Sequence, residues 1–303
     1  MSTPNFGPFL LGGNVFGWTV PRDEAFPVLD AFVEKGGHAI DTADVYSAWI
    51  PGNKGGESEE ILGAWLKARN NRSKIFLSTK VAKWGEQPGL SAKNITSAVE
   101  RSLKRLGTDY IDLYFAHEDD AKVEQSEYVR AFDDLVKAGK VRTLGASNFT
   151  PERLASARKL QKDGGLATFD VAQDQWSLVE RDFEKNLKPL LEREGIVETP
   201  YWALASGFLS GKYRPGKKVD SARADGVGKY LARPDAVKLL DVLDTIAGRH
   251  GVSVTAVALG WLKQQSVVTV PIVSARTVDQ LGPLFETVKL TADELDELSA
   301  VTK

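Results

Sequence analysis

Four side chains hold most of the chemical interest of this sequence: Asp41, Tyr46, Lys80 and His117. A free phenol loses its proton only near pH ~10, so Tyr46 is a poor acid until something stabilises its anion. A lysine cation beside it would do that, and an aspartate beside the lysine would keep the cation charged and fixed. His117 could then orient a carbonyl oxygen or share its proton. The set suits donation of a proton to an oxygen that turns negative as hydride reaches its carbon. No side chain supplies hydride, so a reduced cofactor is implied.

Taken singly, each residue has an ordinary reading: Asp41 caps the following segment, and a strand-end lysine sits in solvent. The elements that carry them decide whether they meet. Short apolar or β-rich runs recur along the chain, namely "FLLGG", "HAIDTA", "KIFLSTK", "YIDLYFAH", "KVRTLGAS", "FDVAQDQ", "GIVETPYW" and "VVTVPIVSA". Between most of them lie segments with helical spacing, such as "SAKNITSAVERSLKRLG", "SEYVRAFDDLVKAGK" and "TPERLASARKLQ". Ser91 precedes one helix, and Thr150 followed by Pro151 gives another an N-cap with proline at its first position.

Strands alternating with helices imply parallel pairing. Eight of them within about 280 residues match an α/β fold of the (β/α)8 TIM-barrel type. A doubly wound sheet is the competitor, but no Gly-x-Gly-x-x-Gly turn follows any strand. On this map Asp41 closes the second strand, Lys80 the third, His117 the fourth, and Ser147 with Asn148 the fifth. Gln173 closes the sixth, Tyr201 the seventh, and Ser274 to Arg276 the eighth. In a parallel barrel these ends share one face, where active sites of such folds lie.

Composition narrows the alternatives. The 303 residues carry a formal charge of -2, which gives no electrostatic reason to expect nucleic acid or an anionic membrane as partner. There is no cysteine, hence no disulfide, thiol nucleophile or thiolate metal site. The start lacks the pattern of a secretory signal and no run approaches membrane-spanning length, so a cytoplasmic protein is expected. His38 and His250 suit packing or surface roles, and neither spacing suggests a metal. No linker divides residues 1–303, so one domain is expected. The stretch Gly211 to Asp235, rich in glycine and basic residues, reads as a loop, either solvated or covering an anionic ligand.

The tryptophans divide by position. Trp65 and Trp261 fall in amphipathic helices and read as core, whereas Trp18, Trp49, Trp84, Trp176 and Trp202 follow strand ends. Trp18, Trp49 and Trp84 are the candidates for lining a substrate pocket, which would suit a flat, bulky or sugar-like carbonyl compound.

With these residues in place, the chain resembles the aldo-keto reductases, closest to the branch that includes bacterial reductases and the potassium-channel β-subunits. The resemblance runs from "LLGGNVFGW" through "DTADVY", "STK", "SLKRLGTDYIDLYFAH", "GASNF" and "PYWALASGFLSGKY" to "SARTVDQL". It implies a barrel, NADPH as hydride donor, and Asp41, Tyr46, Lys80 and His117 as the catalytic tetrad, with Tyr46 as general acid. It implies that Ser147, Asn148 and Gln173 hold the nicotinamide carboxamide and that Tyr201 stacks on the ring. The segment Trp202 to Gly211, including Ala203, Leu204 and Gly207, would follow the pyrophosphate, with Lys212 in the same cofactor-binding set. The covering loop would span about 202–235. Ser274, Arg276 and Gln280 would hold the adenosine end, and the Arg276 guanidinium fork suits a 2'-phosphate, favouring NADP(H) over NAD.

The chain departs from the family pattern in places. Glu118, Asp119 and Asp120 follow His117 and would favour its protonation where they point inward. Trp202 and Ala203 replace the usual serine and proline, and Pro283 and Leu284 replace residues that contact adenine in relatives. The expected function is reversible reduction of an aldehyde or ketone, by a monomer or small homo-oligomer. The alternatives are an NADPH-binding regulatory subunit with little turnover and a barrel hydrolase using Asp119 and Asp120, although adjacent carboxylates do not by themselves flank a bond from opposite sides.

Overall fold

The eight apolar runs form eight strands: β1 Leu10–Gly12, β2 Ala39–Asp41, β3 Phe76–Val81, β4 Ile111–Ala116, β5 Val141–Ser147, β6 Phe169–Gln173, β7 Val197–Glu198 and β8 Ile272–Val273. The computed structural model describes residues 4–216, 219 and 224–302. All pairings are parallel, in the order β7-β6-β5-β4-β3-β2-β1-β8. Backbone hydrogen bonds also join the two ends of the sheet. The Glu198 N–H donates to the Val268 carbonyl at 2.9 Å, Val270 N–H to Glu198 at 2.9 Å, and Ile272 N–H to Pro200 at 3.0 Å. Every residue of β4 is buried, as expected for a parallel strand covered on both faces.

Helices α1 Arg22–Glu34, α2 Glu57–Arg69, α3 Ala92–Leu106, α4 Gln125–Lys137 and α5 Pro151–Asp163 connect β1 to β6. The expected caps form: Ser91 accepts the Asn94 N–H at 3.3 Å, and Thr150 accepts the Arg153 N–H at 3.3 Å with Pro151 at the first turn. Helix α3 buries Ile95, Val99, Leu103 and Leu106, one apolar stripe, and stops at Gly107 in the left-handed region.

After β6 come α6 Asp182–Asn186 and α7 Lys188–Glu194. Helices α8 Ala224–Leu231, α9 Ala236–His250 and α10 Val254–Lys263 separate β7 from β8, and α11 Gly282–Phe285 and α12 Ala292–Val301 close the chain. The stretch Gly211 to Asp235, expected to be a loop, therefore contains a helix. Gly226 and Gly228 obscure α8 in the sequence, and tertiary contacts hold it: the Tyr230 ring stacks on Phe208 at 5.8 Å and its hydroxyl donates to Glu180. Residues 217, 218 and 220–223 of the expected cover lie outside the described residues.

Inward-facing strand residues make a small core of their own: Leu10, Ala39, Leu113, Phe115, Val171, Val197 and Ile272, joined by Phe6. Gly145 is required beside it, because a Cβ there would stand 2.3 Å from the Phe115 ring. A larger apolar layer separates strands from helices, and each large side chain fully buried there contributes roughly 1.5–3 kcal/mol. Among the described residues, no helix is long and apolar enough to cross a membrane.

Candidate active site

Asp41 is the last residue of β2, and the turn after it brings Tyr46 back over the strand ends. Lys80 lies inside β3 with its side chain fully buried. Its ammonium donates to Asp41 Oδ2 at 2.6 Å, to the Thr42 carbonyl at 2.7 Å and to the Tyr46 hydroxyl at 3.1 Å. Three N–H groups thus meet three acceptors. Asp41 Oδ1 takes the Ser78 hydroxyl at 2.7 Å and the Gln173 amide at 3.2 Å.

Burial lowers the Lys80 pKa, and the charge and hydrogen bond of Asp41 oppose that. Burial, followed by the charge of Asp41, lifts the Tyr46 phenol well above its ordinary range. Tyr46 is therefore protonated near neutrality, the state an acid must hold before it acts. Its own hydroxyl reaches Asp41 only at 3.5 Å, a weak contact that leaves the proton free to turn elsewhere.

His117 follows β4, with its ring 6.1 Å from that of Tyr46 and its Nδ1 without a hydrogen-bond partner among the described residues. Burial, then the positive charges of Lys80 and Lys83, hold its pKa well below the ordinary value, so the imidazole is neutral. The expectation that neighbouring carboxylates would protonate it is not met, because all three point elsewhere. Glu118 pairs with Lys83 at 3.3 Å, Asp119 with Arg153 at 2.5 Å, and Asp120 accepts the backbone N–H groups of Leu90 and Lys122. Asp119 and Asp120 do not line the central cavity, which removes the basis of the hydrolase reading.

Asp41, Tyr46 and His117 open into one cavity of about 960 Å³. Ser147, Asn148, Gln173 and Tyr201 form its next wall. The Ser147 hydroxyl donates to the Gln173 carbonyl at 2.7 Å, and the Asn148 amide donates to the His117 carbonyl at 3.0 Å. The Tyr201 hydroxyl donates to Asn148 Oδ1 at 2.8 Å. Trp202, Ala203, Leu204, Gly207 and Lys212 continue the wall, and Ser274, Arg276, Gln280, Pro283 and Leu284 complete its far end. The backbone is in the left-handed region at Asn148, Trp202, Ala205 and Ser206, a concentration of strain typical of ligand-holding turns. Neither Lys212 nor Arg276 has an acidic partner among the described residues, so two cations on this wall are available to an anion. The Arg276 backbone N–H is held by Gln280 at 2.9 Å and Ser274 by Asn14 at 2.7 Å.

The aromatic candidates separate. Trp18 and Trp49 line the cavity edge-to-face at 5.9 Å, and Trp49 stands 6.1 Å from Tyr46. Trp84 does not line it: its indole N–H donates to the Lys54 carbonyl at 2.7 Å and the Arg101 guanidinium packs on its ring at 4.8 Å. Trp176 is fully buried against Phe183 and Trp261. The cavity also takes Asn14, Lys83, Gln175, Thr255 and Asp279, none of them singled out from the sequence. Asn14 and Lys83 lie two residues beyond the ends of β1 and β3, a position that could have flagged them.

An eight-stranded parallel α/β fold with lysine, aspartate, tyrosine and histidine gathered at the strand ends defines an enzyme class, and comparison with known proteins names it. The chain matches the aldo/keto reductase family over residues 8–303 and belongs to that family. It is 31% identical over 309 residues to an aryl-alcohol dehydrogenase of Pestalotiopsis microspora, covering 96% of this chain and 77% of that protein. It is 32% identical over 311 residues to the norsolorinic acid reductase of Emericella nidulans, with coverages of 96% and 77%. A putative aryl-alcohol dehydrogenase of Saccharomyces cerevisiae is 29% identical over 97% of this chain and 82% of its own length. The protein is an oxidoreductase. The family expected from the motifs is the family found, while these relatives do not single out its bacterial and channel-subunit branch.

Proposed function

We propose that the protein reduces an aromatic aldehyde or ketone to the alcohol, reversibly, using NADPH. The observation that carries this reading is the Lys80 ammonium, bound at once by Asp41, Thr42 and the Tyr46 hydroxyl. As negative charge grows on a substrate oxygen, Tyr46 gives up its proton, and the Lys80 N–H stabilises the phenolate left behind. Neutral His117 orients that oxygen without competing as an acid. Once the alcohol leaves, Tyr46 is reprotonated.

The cavity suits a dinucleotide: polar amides at one end, left-handed turns along the wall, and cations at Lys212 and Arg276 that have no acidic partner among the described residues. Ser147, Asn148, Gln173 and Tyr201 would hold the nicotinamide end. Trp202, Ala203, Leu204, Gly207 and Lys212 would hold the pyrophosphate, and Ser274, Arg276 and Gln280 the adenosine end. When bound, NADPH supplies hydride to the carbonyl carbon. The Arg276 fork supports NADP(H) over NAD.

Trp18, Trp49 and Tyr46 support a flat aromatic substrate. That wall and the names of the fungal relatives support placing the chain with the aryl-alcohol dehydrogenases in preference to the bacterial and channel-subunit branch. The bonds between residues 198–200 and 268–272 support a closed (β/α)8 barrel formed as one domain.

The test follows NADPH absorbance with a panel of aryl and alkyl aldehydes and ketones. Tyr46→Phe should abolish carbonyl reduction and leave NADPH binding intact, and unchanged turnover would remove Tyr46 from its role. NADPH binding with no carbonyl reduced by the wild type would favour the regulatory-subunit reading.

A further inference from the structure

Behind the cavity wall, at the ends of β6 and β7, stand two carboxyl groups that no motif singled out, Asp174 and Glu198. Neither lines the cavity. Glu198 is completely buried, and its Oε1 accepts the Asp174 N–H at 2.9 Å. Asp174 Oδ1 accepts the Asn148 N–H at 3.2 Å, and the Asp174 carbonyl accepts the Tyr201 N–H at 3.0 Å. The second oxygen of each acid is buried without a partner among the described residues. Asn148 in turn holds the His117 carbonyl, the Ser147 hydroxyl and the Tyr201 hydroxyl. One chain of hydrogen bonds therefore runs from Glu198 through Asp174 to Asn148 and branches along the wall.

We propose that Asp174, held from behind by Glu198, is a positioning residue that fixes Asn148 and Tyr201 for the nicotinamide end of the cofactor. The inference rests on the cofactor-binding reading of those two residues. Asn148 has φ of 57°, a left-handed conformation that asparagine adopts more readily than most L residues and in which its N–H meets Asp174. Asp174 meets the Asn148 N–H in that conformation and also accepts the Tyr201 N–H, so one residue sets both sides of the Tyr201–Asn148 contact.

The charges fit this role. Neither acid has a lysine or arginine partner among the described residues, and the charge of Asp174 acts on Glu198. Burial pushes Asp174 up to about 7 and Glu198 well above the carboxylate range, where the charge of Asp174 adds to the effect. Geometry assigns the acceptor role, because Asp174 Oδ1 is the carboxyl oxygen that meets the Asn148 N–H.

The experiment titrates NADPH by fluorescence into the wild type, Asp174→Ala, Asp174→Asn, Tyr201→Phe and the Asp174→Ala/Tyr201→Phe double variant, with circular dichroism as the folding control. Asp174→Ala should weaken NADPH binding by about tenfold or more, because the Asn148 N–H loses its acceptor. Asp174→Asn retains an oxygen at that place and should recover affinity to within about threefold of wild type. Tyr201→Phe should cost less affinity in the Asp174→Ala background than alone, because both act on Asn148. Equal affinity of Asp174→Ala and wild type, or fully additive losses in the double variant, would overturn the inference. If Asp174→Ala does not fold, Glu198→Leu takes its place: it removes the acceptor behind Asp174 without reaching the cavity and should weaken NADPH binding by about fivefold. Wild-type affinity in Glu198→Leu would overturn the inference equally. A wild type that binds no NADPH defeats the functional reading itself, a different result from binding that ignores Asp174.

Discussion

Lys80 spends all three of its N–H donors inside the site, and Asp41 takes the shortest of those bonds. Burial pulls the Lys80 pKa down, and Asp41 opposes it. Removing the aspartate charge leaves burial opposed only by the weaker influence of Asp44 and Glu59, so Lys80 loses its proton at lower pH. In the proposed mechanism the charged lysine stabilises the Tyr46 anion, so activity should be lost as pH rises through the Lys80 pKa. Asp41→Asn should move that alkaline limb to lower pH and cut kcat by about 100-fold at neutrality. A kcat profile from about pH 6 to 10 measures both effects, and a limb that stays in place would detach Asp41 from Lys80. At this scale the meeting of Asp41, Tyr46 and Lys80 was legible because the motifs that carry them follow one another in order along successive strands. The charge of His117 was not legible, since it depends on where Lys83 and Arg153 draw the carboxylates. Asp174 and Glu198 were invisible for the same reason: the chain separates them, and the sheet joins them.

Helix ends carry more of the site than their solvent exposure suggests. Thr150 caps α5 through the Arg153 N–H, and the Arg153 side chain holds Asp119, two residues from His117. Thr150→Ala should destabilise the protein by about 1 kcal/mol, lowering Tm by about 2 °C, with Thr150→Asp restoring most of the loss. Thermal melts of the three proteins decide it, and an unshifted Thr150→Ala would show the cap to be idle. This cap and that of Ser91 were readable because capping is local chemistry. Helix α8 was not, because two glycines weaken its intrinsic tendency and its support comes from Phe208 and Glu180, residues that sequence distance hides. Trp84 failed as a pocket residue on similar grounds: following a strand end says nothing about which way the loop turns, and Lys54 and Arg101 turn it away.

Over the whole molecule, strand order was legible because alternating strands and helices leave few parallel topologies. The barrel expected from eight strands rests at its seam on little sequence signal, since β7 and β8 are two residues each and all three backbone bonds between the sheet's ends use a residue outside both strands. The same organisation separates chemistry from stability along the strands. Asp112 is the second residue of β4, toward the end opposite His117, and is almost fully buried. Its carboxylate accepts the Leu77 N–H at 3.0 Å on β3, the Arg72 guanidinium at 2.8 Å before β3, and the Arg142 guanidinium at 2.9 Å on β5. Both guanidinium groups also pack on the Tyr110 ring, at 3.9 and 3.8 Å. Asp112→Ala leaves a backbone N–H and one largely buried cation without their acceptor, which should cost about 3–5 kcal/mol. None of these groups touches the catalytic cavity. Below the melting transition, kcat per folded molecule should therefore stay near wild type while Tm falls by about 6–10 °C. Parallel melts and active-site-normalised kinetics test the separation, and a fall in kcat well below the new Tm would show that the far end of the strands is coupled to the catalytic one.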